Sequence, residues 1–590
     1  MYAYGKLSSV DNKNDLNQVK EVEMKRKNIF LVLVFLPLAA VFGQTRTMGL
    51  FINDTLRAFR GYTLFAPKHN TMTYLIDNEG RKCHEWDAST YNPGQSVYLL
   101  ENGNLLRTCM LQGSLGSGGG EGGRLEEYTW NDSLVWSMNY STDNYTQHHD
   151  VKKLPNGNII MLVVEKKTLA EAIAAGFDPN NFQPDVAQKG YMLPDCIIEI
   201  QPTYPVGGTV VWQWHVWDHL IQHFDPAKNN YGVISAHPEL ISTLGDGRKE
   251  PLFWNHMNCI DYKPDLDQIV VSVRGNSELW VIDHNTTTAQ AAGHTGGAHN
   301  KGGDLLYRWG NPLTYGAGTT NDQKYFEQHC VEWVKPDCPG AGDLMCFNNG
   351  VNRNYSSIDE IIPPVDGNGD YPLTTGQAWL PANLSWTYVA NPPASLYAGD
   401  ISGAQRLQNG NTLIDDGPLG TFIEVTASGE TVWKYINPVD NTGPLMQGDS
   451  IPHDPTHPDE TLNSVFRVYR YPPSYAAFTG RDLTPGDVIE LYPAGIEDRG
   501  MNSSQFILYQ NYPNPVSTST VIPFKLYKAC DITLTVLDIL GRVVYKLFDE
   551  NRKAGVYEVS VDLQNLTGGI YFYTLSAAGV SETRRMLIVR

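Results

Sequence analysis

"LENGNLL" (Leu100–Leu106), "LPNGNII" (Leu154–Ile160) and "LQNGNTL" (Leu407–Leu413) are one phrase written three times. Asn-Gly is a strong two-residue hairpin signal because both central positions accept positive φ, so each copy predicts strand, tight turn, strand. A second phrase runs from a Gly or Asp turn into an alternating apolar strand that ends in an aromatic. It occurs as "GRKCHEW" to Trp86, "DSLVW" to Trp136, "GTVVWQW" to Trp214, "GDLLYRW" to Trp309 and "GETVWKY" to Tyr435. Irregularly spaced copies of such units imply repeated small antiparallel sheets decorated by insertions. The fold class is all-β. A β-propeller, with its functional site at the mouth of a central channel, fits best, and a pair of β-sandwiches is the alternative. The one helical stretch after the leader is "KKTLAEAIAAGF" (Lys166–Phe177), read as a short insertion.

Composition agrees with many short strands and turns: 54 Gly and 35 Pro in 590 residues. The net charge of −20 argues against nucleic acid or an anionic membrane as partner, while leaving room for a local cationic pocket. "MKRKNIFLVLVFLPLAAVFGQ" has the layout of a secretory signal peptide over Met24–Gly43, with residues 1–23 as upstream sequence. All eight cysteines lie beyond it, as for a chain bound for an oxidising compartment. Cys338 and Cys346, flanking the Pro/Gly loop of "CPGAGDLMC", are the best disulfide candidate. After about residue 490 the repeat stops. A linker over 491–504 leads to alternating strands over 505–590, which predict a small separate β-sandwich.

The chemistry sits on "FWNHMNCIDYKPDLDQIVVSVRG" (Phe253–Gly275). A hairpin centred near Asp265 pairs residues whose numbers sum to about 530, which sets Arg274 opposite His256 and Ser272 opposite Asn258. An imidazole, an amide and a guanidinium then share one face with no carboxylate among them, a group suited to an oxyanion. His148 and His149 of "TQHHDVKKLPNGN" and His329 of "YFEQHCVEW" add imidazoles able to act as nucleophile or base. On a regular strand His148 and His149 face opposite ways, as do His329 and Cys330. Aromatic candidates for the channel mouth are Trp254, Tyr325 and Trp333. His223, His237, His294 and His299 read as surface or satisfied core groups. "DGNGDYP" (Asp366–Pro372) has part of the spacing of a calcium loop without its terminal acid, and "GSLGSGGGEGG" lacks the Lys of a phosphate loop.

"HHDVKKLPNGN", "HMNCIDY", "LDQIVVSVRGNSELWVID", "GDLLYRWGNP", "QHCVEW", "FNNGVNR" and "SGAQRLQNGNTLI", in this order, resemble the bacterial arylsulfotransferase family over about residues 60–475. The resemblance implies a six-bladed propeller over residues 44–490. It implies transfer of a sulfuryl group from a phenolic sulfate ester to a phenol, by a ping-pong route through a sulfohistidine and with no nucleotide sulfate donor. Carried over by motif, His329 is the sulfurylated histidine, and His256, Asn258 and Arg274 bind the sulfate. "HHD" supplies a further active-site histidine, His149 in preference to His148, which is left a substrate-binding role. No cofactor or metal is implied. The residue after the nucleophile is commonly acidic in the family, and here it is Cys330. "NYPNP" (Asn511–Pro515), "LDILGRVV" (Leu537–Val544), "LTGGIYFYTL" (Leu566–Leu575) and "RRMLIVR" resemble the type A sorting domain of the type IX secretion system. That implies export through periplasm and outer membrane, with the secretion machinery as partner.

Overall fold

A computed structural model describes residues 46–113, 115, 119–243, 249–492, 506–526, 528–577 and 580–590; the signal-peptide region and nearly all of the 491–504 linker lie outside them. The Leu-x-Asn-Gly-Asn phrases are hairpin turns, of a different kind from the one expected. Gly103, Gly157 and Gly410 alone take positive φ, at +85°, +89° and +87°. In each turn the Gly N–H donates to the Leu carbonyl, and the Leu N–H donates to the carbonyl of the last Asn. This is the three-residue hairpin in which a type I turn is followed by a left-handed Gly. The two Asn residues now have separate reasons. The first caps the turn with its side chain, accepting the N–H two residues on (Asn102, Asn156, Asn409). The second donates its amide to a glutamate on the next strand: Asn104 to Glu127, Asn158 to Glu199, Asn411 to Glu424, at 2.6–2.7 Å.

From Gly49 to Tyr471 the described residues build six antiparallel sheets of four or five strands in order, with three two-stranded pairs between them. Sheet 1 combines Tyr62–Phe65, Thr73–Ile76 and Lys82–Trp86 with Tyr469–Tyr471 from far along the chain. Sheet 2 spans Pro93–Leu99 to Leu134–Asn139, sheet 3 Tyr145–Lys153 to Gly208–His215, and sheet 4 Met257–Lys263 to Tyr307–Trp309. Sheet 5 runs from His329–Trp333 to Trp386–Val389, and sheet 6 from Gly403–Arg406 to Thr431–Ile436, to which Gly49–Asn53 adds an edge strand. All five aromatic-ending phrases are fourth strands, and Trp386 of "SWTYV" supplies the copy missing from sheet 5.

The tryptophans of those strands explain why the phrase recurs. Each indole N–H donates to a carbonyl in the connection between the third and fourth strands of the next sheet. Trp86 reaches Thr129, Trp136 Gly207, Trp214 Gly303, Trp309 Pro381, Trp386 Ala427 and Trp433 Asn78, at 2.7–3.2 Å. The sixth bond returns to sheet 1, so the series closes on itself. At the closure Arg470, fully buried, stacks over Trp433 at 4.2 Å and pairs with buried Glu424.

First strands carry a second regularity. In sheets 2 to 5 their register slips near the start: between Pro93 and Val97, Gln147 and Val151, Met257 and Cys259, and His329 and Glu332. Left-handed residues accompany the slips, among them Gln95, His149, His256 and Cys330. These are β-bulges, which re-aim side chains that a regular strand would alternate.

The insertion helix forms over Leu169–Ala174, opened by a capping box between Thr168 and Glu171. Among the described residues no cysteine is bonded to another. The expected Cys338–Cys346 disulfide is absent because the two thiols face different neighbours. Cys338 lies against the Arg406 carbonyl (3.4 Å), and Cys346 against that of His329 (3.4 Å). The C-terminal segment forms a three-stranded sheet (Phe506–Leu508, Ser519–Leu526, Gly555–Asp562) and a four-stranded one (Cys530–Leu537, Val543–Arg552, Gly569–Ala577, Val580–Ile588). Ile522 and Phe524 of one meet Leu534, Tyr573 and Leu575 of the other in a single core. No helix among the described residues is long and apolar enough to cross a membrane.

Removing the closing indole tests this reading. Trp433→Phe, which keeps bulk and loses the donor, is expected to cost about 1 kcal/mol in urea unfolding. Trp433→Ala is expected to cost about 3–5 kcal/mol.

Candidate active site

The bulges bring four histidines together. Sheet 3 supplies His148 and His149, sheet 4 His256 and Arg274, and sheet 5 His329. His148 and His149 do not face opposite ways, as they would on a regular strand. His149 is left-handed (φ +45°), and the two rings meet with their Nδ1 atoms 2.7 Å apart. The His148 Nε2 lies 2.9 Å from Asp195 Oδ1, deeper in the fold. His149 also meets His256, with ring centroids 5.1 Å apart. Gly120, from the glycine-rich stretch, closes over it. A Cβ at Gly120 would overlap the His149 ring, and the Gly120 carbonyl accepts the His149 N–H.

His256 and Arg274 stand as the register predicted, with the Arg274 N–H donating to the His256 carbonyl at 3.2 Å. Beyond them the register departs. Asn258 is the extra residue of a bulge, and Ser272 pairs with Cys259 instead. The Asn258 amide donates to the Gln328 carbonyl at 2.8 Å, so it braces the residue just before His329. The face also carries a carboxylate that the sequence reading missed: Glu327, left-handed at φ +57°, pairs with Arg274. Both side chains are part exposed and line a cavity of about 340 Å³ together with His256, Phe253 and Trp254. Of the three aromatic candidates only Trp254 lines this cavity; Tyr325 and Trp333 are core residues around Trp309.

His329 is the most constrained of the set. Its Nδ1 lies 2.9 Å from Asn349 Oδ1. The Asn349 amide nitrogen is fixed by two carbonyls, Ala398 at 3.0 Å and Ile401 at 3.1 Å, so its oxygen faces the ring. An amide oxygen only accepts, so Nδ1 carries the proton and Nε2 the lone pair. Burial, then the Arg274 guanidinium, push this imidazole down to about 3. Burial likewise holds His149 and His256 well below the usual histidine range, reinforced by neighbouring imidazoles and by Arg274. The imidazoles of His149, His256 and His329 are therefore neutral at physiological pH and crowd together without mutual repulsion.

Under the histidines lies a charged centre that no motif announced. Arg467, fully buried, donates to Asp150 Oδ2 at 2.9 Å and to the Tyr469 hydroxyl at 3.0 Å. Asp150 also accepts from Tyr98 at 2.7 Å and from the Ile260 N–H at 3.1 Å. These bonds tie sheets 1, 2, 3 and 4 behind the site. Cys330 faces this side, not the His329 ring. It is left-handed (φ +53°), and its sulfur lies 3.8 Å from the Ala404 carbonyl. In the candidate calcium loop Asp366 accepts the N–H groups of Asn368 and Asp370, and Asp370 pairs with His299 from outside the loop.

Residues 61–446 match the family model "Arylsulfotransferase (ASST)". The chain belongs to the arylsulfotransferase family. Residues 510–589 match the secretion system C-terminal sorting domain, which marks this arylsulfotransferase-family chain for secretion to the cell surface. The strand Tyr469–Tyr471 that completes sheet 1 lies beyond the family match. No curated protein sequence matches this chain. Similar solved structures include a protein of unknown function from Bacteroides caccae, 10% identical over 70% of this chain and 98% of that one, with a TM-score of 0.35. The periplasmic gluconolactonase PpgL of Pseudomonas aeruginosa is 11% identical over 85% and 99%, with a TM-score of 0.30. A streptogramin B lyase is 10% identical over 68% and 85%, with a TM-score of 0.30.

The protonation state of His329 is open to direct measurement. In ¹⁵N-histidine spectra it is expected as the neutral Nδ1–H tautomer from pH 8 down to pH 5, since a depressed value protonates only as pH nears about 3. A titration midpoint near the ordinary 6.5 would contradict the assignment.

Proposed function

We propose that the protein is a secreted aryl-sulfate sulfotransferase working through a sulfurylated His329. In this reading the six sheets are the blades of a propeller over residues 44–490, and the C-terminal pair of sheets is a sorting sandwich over 505–590. The observation that carries it is the lock on His329: Asn349 holds the proton on Nδ1, and the low basicity keeps the imidazole neutral. A nucleophile of this kind needs no separate base for the first step.

In that step the His329 Nε2 lone pair attacks sulfur, an N–S bond forms, and the S–O bond to the aromatic ring breaks as phenolate leaves. Charge spread over the three non-bridging oxygens of a loose transition state calls for fixed donors. Arg274 presents five N–H groups, of which Glu327 takes part. Neutral His256 offers a ring N–H, and the second proton on the Asn258 amide nitrogen remains after the bond to Gln328. The carboxylate of Glu327 leaves the free pocket closer to neutral, so an incoming sulfate ester displaces part of an existing ion pair.

In the second step a phenol oxygen attacks sulfur, an S–O bond forms as the N–S bond breaks and returns the lone pair to His329 Nε2, and the phenol must lose its proton. His149 is the base we assign. With the proton that the two Nδ1 atoms share at 2.7 Å carried by His149, the lone pair is left on His149 Nε2. Phe253 and Trp254 at the cavity wall are suited to hold aryl rings. Asn349 orients the His329 imidazole, so Cys330, in the position that is commonly acidic in the family, is left without an orienting role. Cofactor and nucleotide donor have no place in this scheme.

The test is release of p-nitrophenol from p-nitrophenyl sulfate by the purified protein, with and without added phenol. Phenol-stimulated release is expected, lowered by more than about a thousandfold in His329→Ala. Asn349→Ala, which frees the ring to turn, is expected to lose about a hundredfold. Release indifferent to phenol would instead identify a hydrolase, and no release from folded protein would leave a binding propeller.

A further inference from the structure

Away from the histidine cluster, one buried imidazole has an unresolved proton account. His219 ends the short turn Val216–His219 that follows sheet 3, and it is fully buried. Its Nε2 lies 2.8 Å from the Ala291 carbonyl oxygen and its Nδ1 2.9 Å from Asp304 Oδ1. That same carboxylate oxygen is 2.7 Å from the Nδ1 of His294. A carbonyl has no proton to give, so Nε2 must donate. In a neutral ring this leaves a bare lone pair on Nδ1 facing an ionised, buried oxygen. Either an extra proton sits among the three groups or a cation does.

The surroundings favour a cation. The three atoms lie within 4.8 Å of one another on three separate points of the chain. Nε2–H on a backbone carbonyl is the outer partner that fixes the tautomer and aim of a metal-bound histidine. The ring cannot turn away, because Trp214 stacks on it at 5.4 Å and 8°, held in turn by its bond to Gly303. Gly303 itself has no room for a side chain, since a Cβ would stand 2.7 Å from His219 Nε2. The third ligand, His294, is exposed and lines a second cavity of about 370 Å³ with Trp217, Asp218, Tyr231 and His237. That cavity supplies an entry path and room for a fourth ligand.

We propose that His219, His294 and Asp304 form a binding site for a divalent transition metal, with zinc the ion that two imidazole nitrogens and one carboxylate oxygen suit best. The site joins the end of sheet 3 to the long connection between Asp283 and Tyr307 in sheet 4. It clamps that connection beside the carbonyl of Gly303 to which Trp214 is bound. Among the described residues, none of its three ligands bonds to His149, His256, Arg274 or His329, so sulfuryl transfer is expected to proceed without the ion.

The experiment uses the full chain, purified without a metal-affinity tag. After equilibration with zinc chloride and dialysis, bound zinc is measured by mass spectrometry and its ligands by X-ray absorption. One zinc per chain is expected, with nitrogen and oxygen neighbours only. His294→Ala, at an exposed position that leaves folding intact, is expected to bind at least about tenfold more weakly. Cys330→Ser is expected to bind as the parent does. No retained zinc in the parent would overturn the site and show that a proton balances His219. Equal retention by His294→Ala would do so too. Sulfur neighbours would move the metal to the buried Cys259–Cys330–Glu332 group and equally overturn the proposal.

Discussion

Six indole N–H groups, each reaching from the outer strand of one sheet to a turn of the next, make the sheets a closed series, and the placement of everything else follows from that closure. Each bond is worth only about 1 kcal/mol net. The rings around them contribute more, since burying a tryptophan removes some 150–250 Å² from water. The geometry matters as much as the energy, because a donor in a rigid ring sets both the spacing and the angle between neighbouring sheets. With the outer edges fixed in this way, the first strands of sheets 2 to 5 have little freedom in where their ends meet.

At that meeting point the backbone gives up regular pairing. Bulges in sheets 3, 4 and 5 turn side chains that would alternate into one group: His149, His256 and His329 on one side, with Asp150, Cys259 and Cys330 behind. Left-handed non-glycine residues cost about 1–3 kcal/mol each, and His149, His256, Glu327 and Cys330 are four of the thirteen among the described residues. The buried Arg467–Asp150 pair, bonded to two tyrosines, is the element rigid enough to hold them.

The repeats were legible in the sequence because each has a local cause that leaves its own letters: a left-handed Gly in the turn, an Asn that caps it, an Asn that reaches a Glu, a Trp that reaches the next sheet. The His256–Arg274 pairing was legible for the same reason, since it lies next to a hairpin of fixed register. Two inferences from regular strand geometry failed. His148 and His149 were expected to point apart and touch. Asn258 was expected to face Ser272 and instead became the bulge. Glu327 and Asn349, the residues that pair with Arg274 and lock His329, lie in connections where no periodicity reports direction. Arg467 comes from the end of the fold and reaches the site only through closure. The Cys338–Cys346 pairing rested on closeness in sequence, whereas the two thiols point into different packing environments.

The proposed covalent sulfurylation of His329 Nε2 is read most directly by mass spectrometry of the protein quenched within its first turnovers on an aryl sulfate without acceptor. A peptide containing His329 is expected to gain one SO₃ group, with the modification on the imidazole, and to lose it when a phenol is added. Burst release of the phenol with an unmodified His329, or the SO₃ group found on another residue, would contradict it.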